Sequence, residues 1–215
     1  MVVRIGVLIA ALLLSGCVDP SIYGPPRGPA GPGAYPPPPP VVDRRGGRAA
    51  QAQFFTALSQ YCGKAYAGQV VTQDGADSAM RREPLILDIR SCNAREIRMP
   101  FHQGQNRSRT WIVAKTPAGL SLKHDHRERD GQPEKMTMYG GETINTGTPT
   151  RQEFPTDPFS VRLFNENGRP EAAQNVWAME VRPGRLIAYE LNRAGRNLRI
   201  EFDVTQPVRR PPRPW

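Results

Sequence analysis

Residues 108–139, SRTWIVAKTPAGLSLKHDHRERDGQPEKMTMY, decide the fold of this chain. The stretch contains three strand-like runs separated by two turn signals, at residues 116–119 and 130–131. Short runs joined by turns that contain proline or glycine are typical of antiparallel strands. This stretch therefore predicts three successive strands of one antiparallel sheet.

The alternation of apolar and polar residues continues outside this stretch. It predicts strands at residues 85–89, 97–101, 159–163, 177–181 and 198–204, while residues 140–158 are predicted to be a long irregular loop. Residues 49–61 instead place Phe54, Leu58 and Tyr61 at helical spacing, and Gly63 is a natural stop. The predicted fold is mainly β, an antiparallel meander of about 8–10 strands with one N-terminal helix. We expect a closed or partly open, lipocalin-like barrel because closure removes exposed edges, and a β-sandwich is the alternative.

Two histidines are the sharpest chemical feature of the central stretch. His124 and His126 share their strand parity with Leu120 and Leu122. Alternate residues of a strand point to the same face, so a strand that buries the leucines directs both imidazoles inward, about 6.5 to 7 Å apart. A buried imidazole needs a hydrogen-bond partner or a metal, because burial disfavours its charged form.

The same pair is a candidate metal site. Its spacing lets both rings reach one ion, and imidazole suits zinc, copper, iron and nickel. A working site needs a third ligand, and His102 is the only other histidine. Its parity directs it away from the apolar face of its strand, unless Pro100 introduces a bulge. His124 and His126 are therefore predicted either to bind a metal, or to be hydrogen-bonded to neighbouring strands or line a cavity.

A cluster of charged residues surrounds the histidines. It comprises Arg107, Arg109, Asp125, Arg127, Glu128 and Asp130, and it forms either a solvated face or an anion-recognising rim at a barrel mouth. Together with Trp111 and Tyr139, the candidate binding residues are His124, His126, Arg107 and Arg109. The chain has no Gly-x-Ser-x-Gly nucleophile motif, and no calcium or phosphate loop is recognisable. No catalytic residue is assigned, and no cofactor is expected beyond a metal at the histidines.

The first seventeen residues are predicted to be a lipoprotein signal peptide. Residues 5–14 are almost entirely apolar, which suits a signal-peptide core and is too short to span a bilayer permanently. The following Leu-Ser-Gly-Cys resembles the lipobox of bacterial lipoproteins, in which the cysteine, here Cys17, is lipidated. By the sorting pattern of enteric bacteria, Val18 after this cysteine implies a lipid anchor in the outer membrane, facing the periplasm.

Composition divides the rest of the chain. Residues 18–48 are rich in proline and glycine and predict a semi-rigid tether, residues 49–208 predict a single β domain, and residues 209–215 predict a basic proline-rich tail. The net charge of the chain is +9. Residues 20–48 have four arginines and one aspartate, and residues 209–215 have three arginines, so these segments carry two thirds of the charge. Such ends are attracted to anionic surfaces, whereas no nucleic-acid-binding module is recognisable.

Two cysteines remain beyond the lipid site. In an oxidising periplasm, Cys62 and Cys92 are predicted to form a disulfide bond. The bond closes a loop of about 30 residues, for which chain entropy predicts about 3.5 kcal/mol of stabilisation. A catalytic thiol is the rival interpretation, but neither cysteine has an obvious activating partner nearby in the sequence.

Several segments carry a resemblance to a known family. CGKAYAGQVV, EIRMPFHQG, RSRTWIV, GLSLKHDHRERDG, MYGGET, VWAMEV and RIEFDV resemble a family of secreted proteins and lipoproteins of proteobacteria that has no established activity. The resemblance covers nearly all of residues 54–208. It implies a single periplasmic domain and adds no catalytic residue.

Three functions are compatible with these patterns. The preferred hypothesis is an outer-membrane-anchored, monomeric, non-catalytic module that binds a small ligand or an envelope component such as an anionic glycolipid or peptidoglycan. The alternative is a metal-dependent hydrolase that uses His124 and His126. The third is a purely structural envelope protein.

Overall fold

A computed structural model describes residues 44–215, with side chains from residue 48 onward. The predicted signal peptide, Cys17 and most of the predicted tether lie outside these residues. The described residues belong to one compact unit. Helix α1 (Arg44–Ser59) begins inside the predicted tether, five residues before the helix expected at residue 49.

Eleven antiparallel strands form the sheet. They are β1 (Ala65–Val70), β2 (Leu85–Asp88), β3 (Ser91–Cys92), β4 (Glu96–Gln103), β5 (Asn106–Lys115), β6 (Leu120–His126), β7 (Tyr139–Glu142), β8 (Arg151–Pro155), β9 (Val176–Arg182), β10 (Leu186–Arg193) and β11 (Arg196–Val208). Ten strands follow each other in chain order around a ring, in which β1 pairs with both β2 and β11, and the short β3 pairs only with β4. The predicted antiparallel meander with an N-terminal helix is confirmed, and the sheet is nearly closed into a barrel.

Glycines make the closure between β7 and β8 possible. One antiparallel bridge joins Gly141 to Thr156. A Cβ atom on Gly141 would lie 1.9 Å from the carbonyl oxygen of Pro155, and one on Gly140 would lie 1.9 Å from that of Leu122. Any side chain at either position would therefore push the neighbouring strand away.

The strand predicted at residues 159–163 is wrong. These residues belong to helix α2 (Pro158–Glu166), which begins where the side chain of Asp157 accepts a hydrogen bond of 2.8 Å from the backbone N–H of Ser160. An aspartate N-cap followed by proline at the first helical position is a strong helix start. The loop predicted at residues 140–158 is also wrong in part, since it contains β8 and most of β7.

Side chains fill the barrel. One hydrophobic cluster joins α1, α2 and the strands, and its largest fully buried members are Phe54, Leu58, Tyr66, Leu87, Ile89, Ile97, Met99, Leu120, Leu122, Phe154, Trp177 and Phe202. Helix α1 packs against this cluster through Phe54 and Leu58, and Gln51 donates a hydrogen bond of 3.0 Å to the hydroxyl of Thr143. The likeness to a lipocalin therefore concerns the closure of the sheet and not an open ligand cup.

The predicted disulfide bond is confirmed. It joins Cys62, just after α1, to Cys92 in β3, with a Cα–Cα distance of 6.2 Å. The bond ties the helix that packs on the core to the strand pair β3–β4. Neither helix of residues 44–215 combines the length and apolar character that a membrane crossing requires.

Candidate functional site

The barrel interior contains both histidines of the predicted pair. The residue exposure of His124 is 2%, and 14% of the His126 side chain is exposed. Both lie on β6 with Leu120 and Leu122, which are fully buried. The strand alternation therefore assigned the pair to the correct face.

His124 has hydrogen-bond partners for both ring nitrogens. Its Nδ1 lies 3.2 Å from the carbonyl oxygen of Tyr139, and its Nε2 lies 2.8 Å from the hydroxyl of Tyr189. A carbonyl can only accept, so Nδ1 carries the proton and Nε2 accepts from the tyrosine. Burial, with a smaller effect of His126, lowers the pKa of His124 to about 3. His124 is a neutral core residue without a lone pair to offer a metal.

His126 forms the middle of a short polar chain. Its Nε2 lies 3.0 Å from the hydroxyl of Tyr139, and its Nδ1 lies 3.4 Å from the carboxylate of Glu134. Burial raises the pKa of Tyr139 to about 12, so the neutral phenol donates to Nε2. Burial and then the charge of Arg109 lower the pKa of His126 to about 4. This ring is also neutral and engaged on both sides.

Trp111 and Tyr139, two of the predicted binding residues, are packing groups of the interior. Trp111 stacks on Phe101 and on Tyr189, with ring centroids 4.6 Å and 4.0 Å apart. Tyr139 stacks on His124 at 4.8 Å with an interplanar angle of 13°. Offset stacking of this kind adds stability beyond the burial of area. The structure thus brings four predicted site residues together, but in a packed and hydrogen-bonded core.

The third metal ligand that the hypothesis requires is missing from the described part of the chain. In residues 48–215, no group of three or more His, Cys, Asp or Glu side chains is arranged to hold a metal ion. His102 does not join the pair: it lies on β4 opposite Ile86 of β2, and the charges that act on it are those of Asp88, Arg90 and Arg107. His102 is 3% exposed and its Nε2 has no hydrogen-bond partner within the described residues.

The two arginines of the predicted site separate. Arg109 donates a hydrogen bond of 2.8 Å to Gln103, and its charge acts on His126. Arg107 instead forms hydrogen bonds with the backbone of Arg213 and Trp215. Between Phe101 and Gln103 the register of β4 against β5 shifts. At this end of the hairpin, alternate residues such as Arg107 and Arg109 therefore need not point to the same face of the sheet.

Residues 209–215, RRPPRPW, form a bound segment that we call the strap. Arg107 donates a hydrogen bond of 3.3 Å to the carbonyl of Arg213, and its own carbonyl accepts one of 3.3 Å from the N–H of Trp215. Arg90 donates a bond of 2.8 Å to the carbonyl of Pro211. The segment that composition describes as a free basic tail is therefore attached to the outside of the barrel.

Asp88 is the anchor of the strap. Its side chain is fully buried at the end of β2, and it accepts hydrogen bonds of 3.0 Å from Arg210 and 2.6 Å from Arg90. A buried carboxylate requires such charge-assisted bonds, which are about twice as strong as neutral ones. Asp88 thus holds one residue of the strap and one residue of the barrel at once.

Trp215 lies among cations. The guanidinium carbons of Arg107 and Arg129 lie 5.8 Å and 5.4 Å from its ring centroids. Cation–π contacts at such distances contribute about 0.5 to 1 kcal/mol when exposed. The indole of Trp215 therefore helps to hold the strap in place, and two guanidinium groups, those of Arg107 and Arg129, lie next to it.

The strap and its surroundings carry excess positive charge. Eight arginines bind the strap, belong to it or line the depressions beside it: Arg90, Arg98, Arg107, Arg127, Arg129, Arg209, Arg210 and Arg213. Their carboxylate partners are three, namely Asp88, Glu96 and Asp125. No carboxylate of residues 48–215 lies within salt-bridge distance of the guanidinium groups of Arg107, Arg129 or Arg213. We call this surface the strap face.

Two depressions open on the strap face. One, of about 430 Å³, is lined by Arg90, Arg210, Arg213 and Pro214. The other, of about 230 Å³, is lined by Arg90, Ser91, Arg98, Pro100, Thr110, Asp125, Arg127, Pro214 and Trp215. They share Arg90 and Pro214 and are therefore adjacent.

Sequence reasoning missed this surface except for Arg107 and the members of the charged cluster. Asp88 follows an apolar run and precedes Arg90. A carboxylate at the end of a buried strand needs a cationic partner. That signal, together with an aromatic residue at the end of an Arg-Pro segment, could have indicated a docked segment, but the sequence analysis predicted only a basic tail.

Comparisons with known proteins identify no relative. No family model, no curated protein and no solved structure matches the chain. The resemblance to secreted proteins and lipoproteins of proteobacteria remains a prediction.

Proposed function

We propose that this chain is a non-catalytic binding module of the cell envelope, and that it binds an anionic envelope component through the strap face. The observation that carries the proposal is the excess of arginine over carboxylate on this face, with eight arginines and three carboxylate partners. Unpaired cations gathered on one surface favour an anionic partner.

Arginine is well suited to this task. Its guanidinium stays charged at any physiological pH, and its planar set of donors matches a phosphate or carboxylate in two places at once. Each basic residue close to an anionic membrane contributes about 1 kcal/mol. The preferred partner is therefore a phosphate-bearing envelope lipid.

The barrel interior supports neither a small-molecule cup nor the metal-dependent hydrolase. The nitrogens of His124 are used by Tyr139 and Tyr189, and aromatic side chains occupy the surrounding space. A purely structural envelope role leaves the excess charge of the strap face without a purpose.

The location in the envelope rests on the first seventeen residues, which lie outside the described part of the chain. We propose that Cys17 is lipidated and that the anchor places the domain in the periplasm at the outer membrane. Replacing Cys17 by serine is expected to release the protein from membrane fractions and to abolish acyl labelling. Unchanged membrane association of this variant would refute the anchor.

Vesicle binding tests the strap face directly. Residues 41–215 form a compact unit, so this domain can be studied without the leader. We expect it to sediment with vesicles that contain phosphatidylglycerol and not with pure phosphatidylcholine. Because the Debye length shortens as salt rises, binding should weaken strongly between 50 mM and 300 mM salt.

A pair of charge variants provides the matched control. Arg129→Gln with Arg213→Gln removes two unpaired charges of the strap face and should weaken binding by roughly 30-fold, about 2 kcal/mol. Arg162→Gln with Arg169→Gln removes two exposed charges elsewhere and should leave binding unchanged. Equal loss in both variants would show a general charge effect and contradict a specific face. Binding to purified peptidoglycan in place of vesicles would reject the lipid partner.

A further inference from the structure

The two adjacent depressions of the strap face differ in chemistry. The larger is lined by three guanidinium groups and one proline. The smaller combines an apolar wall with hydroxyl, guanidinium and carboxylate groups. A ligand that enters both must be anionic at one end and amphipathic at the other.

The larger depression fits a phosphate group. Arg90, Arg210 and Arg213 line it, and the carboxylate that binds the first two, Asp88, is fully buried beneath them. One negative charge therefore serves two guanidinium groups, and the third has no carboxylate partner within residues 48–215. Arginine donors match phosphate oxygens in bidentate geometry.

The smaller depression fits a sugar ring. Pro100, Pro214 and Trp215 supply an apolar wall, and a saccharide ring presents a C–H face that packs on such a wall. Its polar groups come from Ser91 and Thr110 hydroxyls and from the two arginines that bind Asp125, namely Arg98 at 3.1 Å and Arg127 at 2.8 Å. A few placed polar groups beside an apolar surface are typical of small-ligand sites. Its volume of about 230 Å³ has room for a single sugar ring.

We propose that the strap face binds a phosphorylated saccharide, with the phosphate between Arg90, Arg210 and Arg213 and the sugar ring against Pro214 and Trp215. This inference rests on the proposed function and specifies its anion. The strap supplies Arg210, Arg213, Pro214 and Trp215, so the site exists only while the strap is docked. The ligand is either the head group of a glycolipid or a free sugar phosphate, which share this chemistry.

Calorimetric titration of the domain of residues 41–215 tests the site. The probes are glucose 1-phosphate, glucose and inorganic phosphate at low ionic strength. We expect glucose 1-phosphate to bind roughly tenfold more tightly than inorganic phosphate, and glucose not to bind measurably. Equal affinity for the two phosphates would mean an adventitious ion only and would overturn the proposal.

Two variants separate the subsites. Arg213→Gln should weaken glucose 1-phosphate and inorganic phosphate alike. In Trp215→Ala the bonds of Asp88 to Arg210 and of Arg90 to Pro211 still hold the strap, so only the affinity for glucose 1-phosphate should fall, to that for phosphate. Arg162→Gln, on the exposed side of α2, is the control and should change neither. The melting temperature of each variant shows whether the fold is intact. Unchanged glucose 1-phosphate affinity in Trp215→Ala would overturn the sugar subsite.

Competition distinguishes the two sources and the two proposals. Vesicles that carry a monophosphorylated glycolipid should displace glucose 1-phosphate if the ligand is a lipid head group, and absence of displacement assigns a free sugar phosphate. If anionic vesicles bind but no phosphate probe does, the proposed function stands and the saccharide site is refuted. If glucose 1-phosphate binds but anionic vesicles do not, the site stands and the membrane-facing function is refuted.

Discussion

Two regions of the outer surface of the barrel differ in how fully their arginines are paired with carboxylates. On the face formed by β8 to β11, Arg151, Arg182 and Arg199 all hydrogen-bond to glutamates. Those glutamates are Glu153, Glu180, Glu190 and Glu201. On the strap face, eight arginines have only three carboxylate partners. The arginines of the β8–β11 face are neutralised by neighbouring glutamates, whereas the strap face keeps more arginines than carboxylates.

Arg199 shows what balance means physically. Its guanidinium donates to Glu201 at 2.7 Å, to Glu180 at 2.8 Å and also to Glu190. Burial acts to lower the pKa of Arg199, but the hydrogen bonds to the three glutamates outweigh it and raise that pKa. Likewise, burial acts to raise the pKa of Glu190, and the bond from Arg151 prevails and lowers it. The hydrogen-bond donors of Arg199 and Arg151 and the acceptors of the glutamates are therefore engaged with one another within the fold.

The difference teaches which arginines are available. A guanidinium that is saturated by carboxylates stabilises the fold and has little left for a ligand. A guanidinium that has only an indole ring or a backbone carbonyl as its partner keeps most of its charge for an external anion. Stability and binding should therefore respond to different changes.

Lowering the pH from 7.5 to 5 has the largest expected effect, and it acts on stability alone. The pKa values of His124 and His126 are lowered to about 3 and about 4, below the usual value of about 6.5 in an unfolded chain. The unfolded state then takes up protons first, so the contribution is complete above about pH 6.5 and is lost as the pH falls toward 4. We expect the two histidines to lower the free energy of unfolding in urea by about 4 kcal/mol, about 2 kcal/mol each, while vesicle binding persists because arginine does not titrate.

His126→Gln isolates one half of this effect. The amide oxygen can still accept the hydrogen bond from Tyr139, but it cannot titrate. The variant should lose about half of the pH dependence between pH 7.5 and 5. A variant with the full dependence would show that His126 is already accessible to protons in the folded state.

Breaking the balanced network has the next largest effect. Arg199→Met removes one partner each from Glu180 and Glu190, whose side chains are 10% and 11% exposed. Each keeps one other arginine, so we expect a loss of about 2 kcal/mol in unfolding free energy. The same change on the strap face, Arg213→Met, should cost less than about 0.5 kcal/mol. Similar costs for the two substitutions would remove the distinction between the faces.

Releasing the strap has a smaller expected effect on stability than breaking the balanced network. Asp88→Asn removes the buried charge that holds Arg90 and Arg210 together. The amide keeps one acceptor and both arginines remain partly exposed, so we expect a cost of about 1.5 kcal/mol. The backbone and indole N–H signals of Trp215 should gain mobility in heteronuclear NOE measurements, and vesicle binding should weaken. Asp203→Asn, an exposed position on β11, is the control. A rigid Trp215 in Asp88→Asn would show that other contacts hold the strap.

Much of the barrel was predictable from alternation. In β11, Leu198, Ile200 and Phe202 are buried while Glu201 and Asp203 lie on the other face, because one face of every strand meets the same core. The orientation of the histidine pair followed from the same rule. The disulfide bond was also predictable, because the chain offers only two cysteines beyond position 17.

Alternation failed where local helix chemistry opposed it. Phe159, Val161 and Leu163 alternate like a strand, but Asp157 and Pro158 start a helix just before them. In that helix Phe159 is 45% exposed and Phe164 is buried, which is the face a helical period selects. A short apolar run fits both periods, and the residues before it decide between them.

The amino-acid sequence by itself determined a β-rich meander, its leading helix, its disulfide bond and the inward direction of the histidines, because these depend on side-chain period and on neighbours close in the chain. Tertiary structure alone decided that the histidines are saturated by Tyr139 and Tyr189 and that the strap is docked. The bond between Asp88 and Arg210 joins residues 122 positions apart, and no local pattern encodes such a pair. Whether a buried polar group is satisfied depends on which distant strand or segment folds against it, and only the completed barrel settles that.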